Sequence, residues 1–296
     1  PADLLFHDKF DYSAGREDST VVSIFQSHGW TGAKTEQDPN SGNPRGYMYT
    51  TDTIPGFSGS FPGANSTRVL AMEALPTSMG DFVNNRTQSS INIRYGTPES
   101  PRGTIPANVW FQFWVYPTGG YDRGMKFIYP CSGNYPCQDL HWLFTTGTAS
   151  KEPLLLENGS PGADQFITIV STDGNNSNAP SYNAWKLGQQ DGTELLAQNR
   201  WTLVKLHLDT STSQGTYEAW LKPLGGQWKK VAEWIGGVTS GFTWPIPNAG
   251  GHRQFVMPGT VGLLSHTNPN DDFDSITYLD DFSMANSEDT LPQYPY

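Results

Sequence analysis

Residues 201–235 read WTLVKLHLDTSTSQGTYEAWLKPLGGQWKKVAEWI. In the opening block Val204, Leu206 and Leu208 fall on one side, and Leu203, Lys205 and His207 on the other. This is the period-2 alternation of a half-buried antiparallel strand. TYEAWL alternates in the same way and is reached through STSQG, a run of turn formers; KKVAEWI follows after KPLGGQ. The stretch therefore predicts a meander of three adjacent strands.

The same reading extends to both ends of the chain. Strands are predicted at 4–6, 21–25, 47–51, 68–75, 91–95, 109–116, 125–129, 140–145, 166–171, 260–264 and 276–284, punctuated by Gly, Pro and Asn. About fourteen short strands are too many for one flat sheet and suit two packed sheets, so the class is an all-β sandwich or jelly roll. Composition agrees: the 296 residues include 31 Gly and 22 Pro, with only 16% charged. Aromatic residues at 13%, among them 10 Trp and 13 Tyr, require a substantial core. No linker, charge block or fixed-period repeat divides the chain, which predicts one domain over 1–296.

Charge and hydropathy exclude two classes of partner. The chain carries 18 Lys and Arg against 29 Asp and Glu, a net charge of −11, which is unsuited to nucleic acid. No run of about 18 apolar residues is present to insert in a membrane. The opening PADLLFHDKF lacks the basic start and apolar stretch of a signal peptide, and Pro1 could follow either a removed initiator Met or a removed signal. Cys131 and Cys137 lie in CSGNYPC, where a local disulfide suited to an oxidising exterior and a pair of reduced thiols are both open.

VWFQFWVY, residues 109–116, is apolar on both faces: Phe111, Phe113 and Val115 alternate with Trp110, Gln112, Trp114 and Tyr116. One face must enter the sandwich core. The other is either a covered second layer or a surface on which Trp and Tyr meet sugar rings, with Gln112 and Trp114 as substrate-binding residues.

The segment from residue 199 to 285 resembles the closing strands of concanavalin A-like lectin/glucanase sandwiches. The matches are Trp201 to Leu208, Gly215 to Trp220, and Tyr278 to Phe282 in YLDDF; LLFHDKFDY resembles the opening strand that pairs with the last. The resemblance implies a concanavalin A-like jelly roll of two antiparallel sheets with long loops. That superfamily hosts lectins, glycoside hydrolases, polysaccharide lyases and structural modules, so it does not choose among them.

Retaining hydrolases of this fold are similar in carrying E-x-D-x-(x)-E on one strand, which is absent here; Glu218 and Glu233 stand singly and Glu194 falls in a predicted loop. A lyase needs a group to neutralise a uronate carboxylate, a base and an acid. Strand parity offers Lys126, His141 and Arg94 for catalysis, with Asn92, Gln112 and Tyr95 or Tyr129 assisting, if their strands are neighbours. The R-x-E-x-R and Q-x-H patterns of alginate-type lyases are absent. Asp280 and Asp281, beside Asp8 if the first and last strands pair, would supply hard oxygens to a structural Ca²⁺. The six His show no zinc spacing.

The resulting expectation is a carbohydrate-recognising protein displayed outside the cell, secreted or on a virion surface as a decoration or attachment component. Its partners would be polysaccharide or cell-surface glycan and neighbouring chains of an assembly. The alternatives are a polysaccharide lyase acting by β-elimination on a uronate-containing glycan, and a purely structural assembly module.

Overall fold

The computed structural model describes residues 4–30, 32–35, 46–74, 89–94, 108–118, 125–131, 144–146, 165–170, 182–187, 199–209, 216–235, 254–261 and 275–295. They form strands β1 (Leu4–Asp8), β2 (Gly32–Thr35), β3 (Gly46–Thr51), β4 (Val69–Ala74), β5 (Ser89–Arg94), β6 (Asn108–Pro117), β7 (Met125–Cys131) and β8 (Phe144–Thr146). Then come β9 (Gln165–Val170), β10 (Tyr182–Leu187), β11 (Thr202–Asp209), β12 (Thr216–Pro223), β13 (Lys229–Ile235), β14 (Gln254–Val261) and β15 (Ser275–Ala285). Helix α1 (Val21–Ser27) lies between β1 and β2.

An eight-stranded sheet runs in the order β13, β12, β11, β6, β15, β4, β3, with β1 also on β15. A five-stranded sheet runs β2, β5, β14, β7, β8, and β9 and β10 form a hairpin. All described pairings are antiparallel, and β14 and β5 of the smaller sheet approach β4 of the larger. The meander read from residues 201–235 is the β11, β12, β13 side of the large sheet, where Val204 pairs with Leu221 and with Phe113 of β6.

β6 sits inside the large sheet between β11 and β15 and is buried on both sides. Its phenylalanine face packs Phe111 and Phe113 on Phe282, which also meets Phe6 and Trp30. Its tryptophan face joins Trp114 and Tyr116 to Trp201, Leu203, Tyr278, Val69, Ala71 and Ile54. Phe57 and Phe61 of the segment after β3, and Tyr294 of the C-terminal segment, close over that second cluster. Of the two states open for the second face of β6, the covered layer is thus realised around Trp114.

A bulge in β15 makes this packing possible. Asp280 pairs with Trp114 but Ser283 with Gln112, so one extra residue is inserted, and Asp281 takes a left-handed backbone at φ 53°. The extra residue inverts the alternation, so Phe282 and Met284 continue the phenylalanine face begun by Leu279. Asp is among the few side chains that adopt this conformation readily.

The expected strand at 21–25 is corrected: 21–27 is helical. VVSIF is β-branched, but Asp18 builds a turn ahead of it, accepting from the backbone N–H and hydroxyl of Thr20 at 2.8 and 2.7 Å. Gly29, at φ 98°, ends the helix. Phe25 is the buried residue of α1 and meets Tyr12 edge-on, so tertiary burial of one side chain overrides the local strand preference.

Candidate functional site

The residues expected to form a catalytic group divide as follows. His141, Tyr95 and Cys137 lie outside the described residues. Asn92 and Arg94 on β5 pair with Val256 and Gln254 of β14, which pair with Tyr129 and Cys131 of β7. Lys126 pairs with Thr260, beyond a break in that register. At about 3.3 Å per residue, the six-residue step from Gln254 to Thr260 puts the backbones of Arg94 and Lys126 roughly 20 Å apart along the strands. The parity argument that grouped them does not carry across this break.

Gln112 and Trp114 are buried. The Gln112 amide donates to the carbonyl of Pro292 at 2.7 Å, and Trp114, 0% exposed, meets Tyr294 edge-on. The C-terminal segment therefore lies over both side chains, and neither presents itself to a sugar in this structure.

Asp8, Asp280 and Asp281 are each held by hydrogen-bond donors. Asp8 accepts from Trp30 Nε1 at 2.5 Å, Tyr12 at 2.9 Å and the backbone of Phe10 at 2.8 Å. Asp280 accepts from Gly63 N–H at 2.8 Å and the Ser66 hydroxyl at 2.7 Å. Asp281 accepts from Ala64 N–H at 3.0 Å and bonds His7. Position 63 must be glycine: a Cβ there would stand 2.3 Å from Ser66 Oγ and 2.6 Å from Asp280 Oδ2. Burial raises the Asp280 carboxyl to about 7, against the pull of its two hydrogen bonds and with a further push from Asp281 and Asp11. The three carboxylates tie β1, the 63–66 turn and β15 together. Among the described residues no group of three or more His, Cys, Asp or Glu is arranged to hold a metal ion.

A different cluster occupies the tryptophan face of β6, β11 and β12, where the C-terminal cover gives way to solvent. Register sets His207 beside Trp110 and Glu218, and Lys205 beside Gln112 and Trp220. The His207 ring stacks on Trp110 at 4.0 Å, and Trp110 stacks on Trp220 at 5.7 Å. His207 Nδ1 lies 2.9 Å from Glu218 Oε2 and its Nε2 3.2 Å from Asn108 Oδ1. Lys230 donates to the other Glu218 oxygen at 2.6 Å.

Lys205 locks the aromatic part. Its ammonium lies 4.9 Å from the Trp220 ring centre and 4.5 Å from that of Trp228, and it also pairs with Glu288. Lys205 is 9% exposed while Trp228 is 37% exposed, so a nearly buried cation holds an indole that faces water. Burial would raise the Glu218 carboxyl, but hydrogen bonds from Lys230 and His207 together outweigh it and hold it below the ordinary carboxylate range. A carboxylate kept ionised in this way is a poor general acid.

The alternation had placed Lys205 and His207 together on one side of β11. What it lacked was the register that sets Trp110, Glu218 and Trp220 beside them. Trp228 carries no signal of its own, since it precedes β13 in the sequence.

No protein-family model matches the sequence, and no curated protein matches it. Among solved structures, the catalytic domain of an endo-1,3-β-glucanase (laminarinase) from Thermotoga petrophila RKU-1 is similar at TM-score 0.52 and 13% identity, over 97% of this chain and 99% of that one. A Bacteroides ovatus mixed-linkage glucan GH16 in complex with product is similar at TM-score 0.51 and 13% identity, over 95% and 100%. An endo-β-1,4-glucuronan lyase from the fungus Trichoderma reesei has TM-score 0.47 and 12% identity over 96% of each chain. The laminarinase and GH16 alignments span the chain almost end to end, and the protein has the concanavalin A-like jelly-roll fold. At such identities the fold is what is shared.

Proposed function

We propose that this protein recognises carbohydrate outside the cell, and that it does so on the tryptophan face at Trp220 and Trp228. The observation that carries the reading is the cation-locked aromatic row: Lys205 fixes two indoles, and Trp228 stands partly exposed at its end. A rigid, flat apolar surface flanked by hydrogen-bonding groups suits the apolar face of a pyranose ring and its rim of hydroxyls. Asn108, Glu218 and Lys230 supply such groups along the row. The laminarinase and GH16 neighbours are proteins of glucan chemistry, which supports a sugar as ligand without fixing which one. Glu218, ionised and doubly engaged, favours binding over hydrolysis at this site.

Intrinsic tryptophan fluorescence, titrated with a panel of polysaccharides and oligosaccharides, tests the proposal. Trp228→Ala and Trp220→Ala should each weaken binding by about tenfold, equivalent to about 1.4 kcal/mol. Unchanged affinity in both variants would refute the assignment of the site. Absence of binding across the panel would refute the recognition function itself.

A further inference from the structure

Resting on that reading of the tryptophan face, we infer that the sugar site continues beneath the C-terminal segment, over Gln112, Trp114 and Ser283, and that a longer glycan displaces residues 287–295 to reach it. Strand register lays Trp220, Lys205, Gln112 and Ser283 side by side on β12, β11, β6 and β15. At about 4.8 Å between strands this row spans roughly 14 Å, the length of a short oligosaccharide. It starts at half-buried Trp220, beside exposed Trp228, and sinks under the segment: Lys205 is 9% exposed, Gln112 3% and Ser283 0%. The covered part of the row is polar, although the layer next to it is aromatic.

Polar atoms under the cover lack partners. Trp114 Nε1 and the Ser283 hydroxyl are buried and have no hydrogen-bond partner among the described residues. A buried polar group left unpaired carries the full cost of its desolvation, so the covered state is penalised at both. Sugar hydroxyls donate and accept, and would satisfy an indole N–H, a serine hydroxyl and the Gln112 amide together.

The cover itself is lightly held. Its backbone hydrogen bonds from Thr290 N–H to Ser287 O, at 3.3 Å, and from Leu291 N–H to Glu288 O, at 3.0 Å, stay within the segment. Side chains make the attachment to the sheet: Gln112 donates to Pro292 O at 2.7 Å, Glu288 pairs with Lys205, Tyr294 meets Trp114 edge-on, and Leu291 is buried. Glu288, Asp289, Gln293 and Pro295 face solvent. A stretch with few buried side chains and no strand pairing opens at low cost. Once it lifts, Gln112 is released from Pro292 and the row is continuous from Trp228 to Ser283. Apparent affinity for a longer glycan falls with the fraction of molecules in which the segment is closed, so loosening the segment raises that affinity. A short ligand held at Trp220 and Trp228 is unaffected.

The test compares disaccharides with hexasaccharides of the cello-, laminari-, manno- and glucuronan series by calorimetric titration of the full chain, with hydroxyl-radical footprinting of the same complexes. A hexasaccharide should bind at least about tenfold more tightly than its disaccharide. At saturation it should increase oxidation of Leu291 and Tyr294 while protecting Trp220 and Trp228. Ser283→Ala removes a hydroxyl that bonds nothing in the covered state. It should leave the melting temperature and disaccharide affinity unchanged and weaken hexasaccharide binding by about fivefold. Leu291→Ala should strengthen hexasaccharide binding by about fivefold and leave disaccharide binding as it is.

Unchanged or reduced oxidation of Leu291 and Tyr294 at saturation would overturn the inference. So would equal affinity for the two lengths, or an unaltered hexasaccharide affinity in Ser283→Ala; in each case the site at Trp220 and Trp228 stands. Binding of neither length in any series would overturn that reading and the inference together.

Discussion

Replacing Asp280 by Asn should leave stability unchanged in acid and raise it at neutral to alkaline pH. The carboxylate is fully buried and accepts one bond from Gly63 N–H and one from the Ser66 hydroxyl. A neutral acid satisfies both partners too: one oxygen accepts from Gly63, and the other, as O–H, donates to the hydroxyl of Ser66, which can rotate to accept. The asparagine amide reproduces that neutral pattern with Oδ1 and Nδ2. Burial lifts the folded-state pKa from 3.8 to about 7. Below the lower value the group is protonated in both states and contributes nothing to the pH dependence. Between the two values the folded chain holds the extra proton, so stability falls as pH rises. Above the upper value the full deficit is in place. A window of about three units at about 1.4 kcal/mol each gives a deficit of about 4 kcal/mol, which the asparagine avoids. Asp281 is shifted downward by its hydrogen bonds and acts with the opposite sign, losing stabilisation as pH falls below its ordinary value, outside this window. The raised Asp8 is common to both proteins and cancels in the difference. Urea unfolding followed by tryptophan fluorescence at about pH 4.5, 6, 7 and 8 gives the difference directly. It should grow from about 1 kcal/mol at pH 4.5 to about 4 kcal/mol at pH 8; a difference that is flat with pH, or that grows on acidification, refutes the reasoning.

Lys205→Met should cost about 1–2 kcal/mol in the same assay, since the thioether keeps the packing of the stem but loses two cation–π contacts and a half-exposed ion pair. A double-mutant cycle with Glu288→Gln should assign less than about 1 kcal/mol to the ion pair; a larger coupling would show that the pair, and not the indoles, holds the lysine. Gly63→Ala should lower stability by at least about 2 kcal/mol, because the new methyl collides with Ser66 and Asp280; a melting temperature within about 1 °C of the parent would contradict the close approach seen here. Asp281→Ala should cost about 2–4 kcal/mol, through the left-handed backbone and the lost bonds to Ala64 and His7. Asp281→Asn, which tolerates that backbone and keeps an acceptor, should cost about half as much, and equal losses would remove the backbone from the account.

The alternation at 109–116, 201–208 and 276–280 was sufficient to place β6, β11 and the first half of β15, because the period of a strand is a property of neighbouring residues. It also placed Lys205 and His207 on one side of β11 before any partner was known. The class of fold follows from the number of such segments and their turns. Two strands escaped notice: GAKT of β2 and YNAWKL of β10 lack clean alternation, and nothing local marks them as strands. VVSIF became a helix because the Asp18 turn and the pocket for Phe25, neither part of its own pattern, decided the matter.

Tertiary structure alone decided the rest. The face of β6 that holds Gln112 and Trp114 read as either a covered layer or a sugar-binding surface, and the choice was made only when Pro292 and Tyr294, about 180 positions away, came to lie over it. Asp280 and Asp281 are neighbours in sequence, but the bulge between them turns one toward Gly63 and the other toward Ala64 and His7. The stack of Trp110, His207 and Trp220 exists because β11 lies between β6 and β12 in one register and no other. A sequence states which side of a strand a residue occupies. Which residues meet there is set by pairings between distant segments, whose energies arise only when the whole sheet has formed.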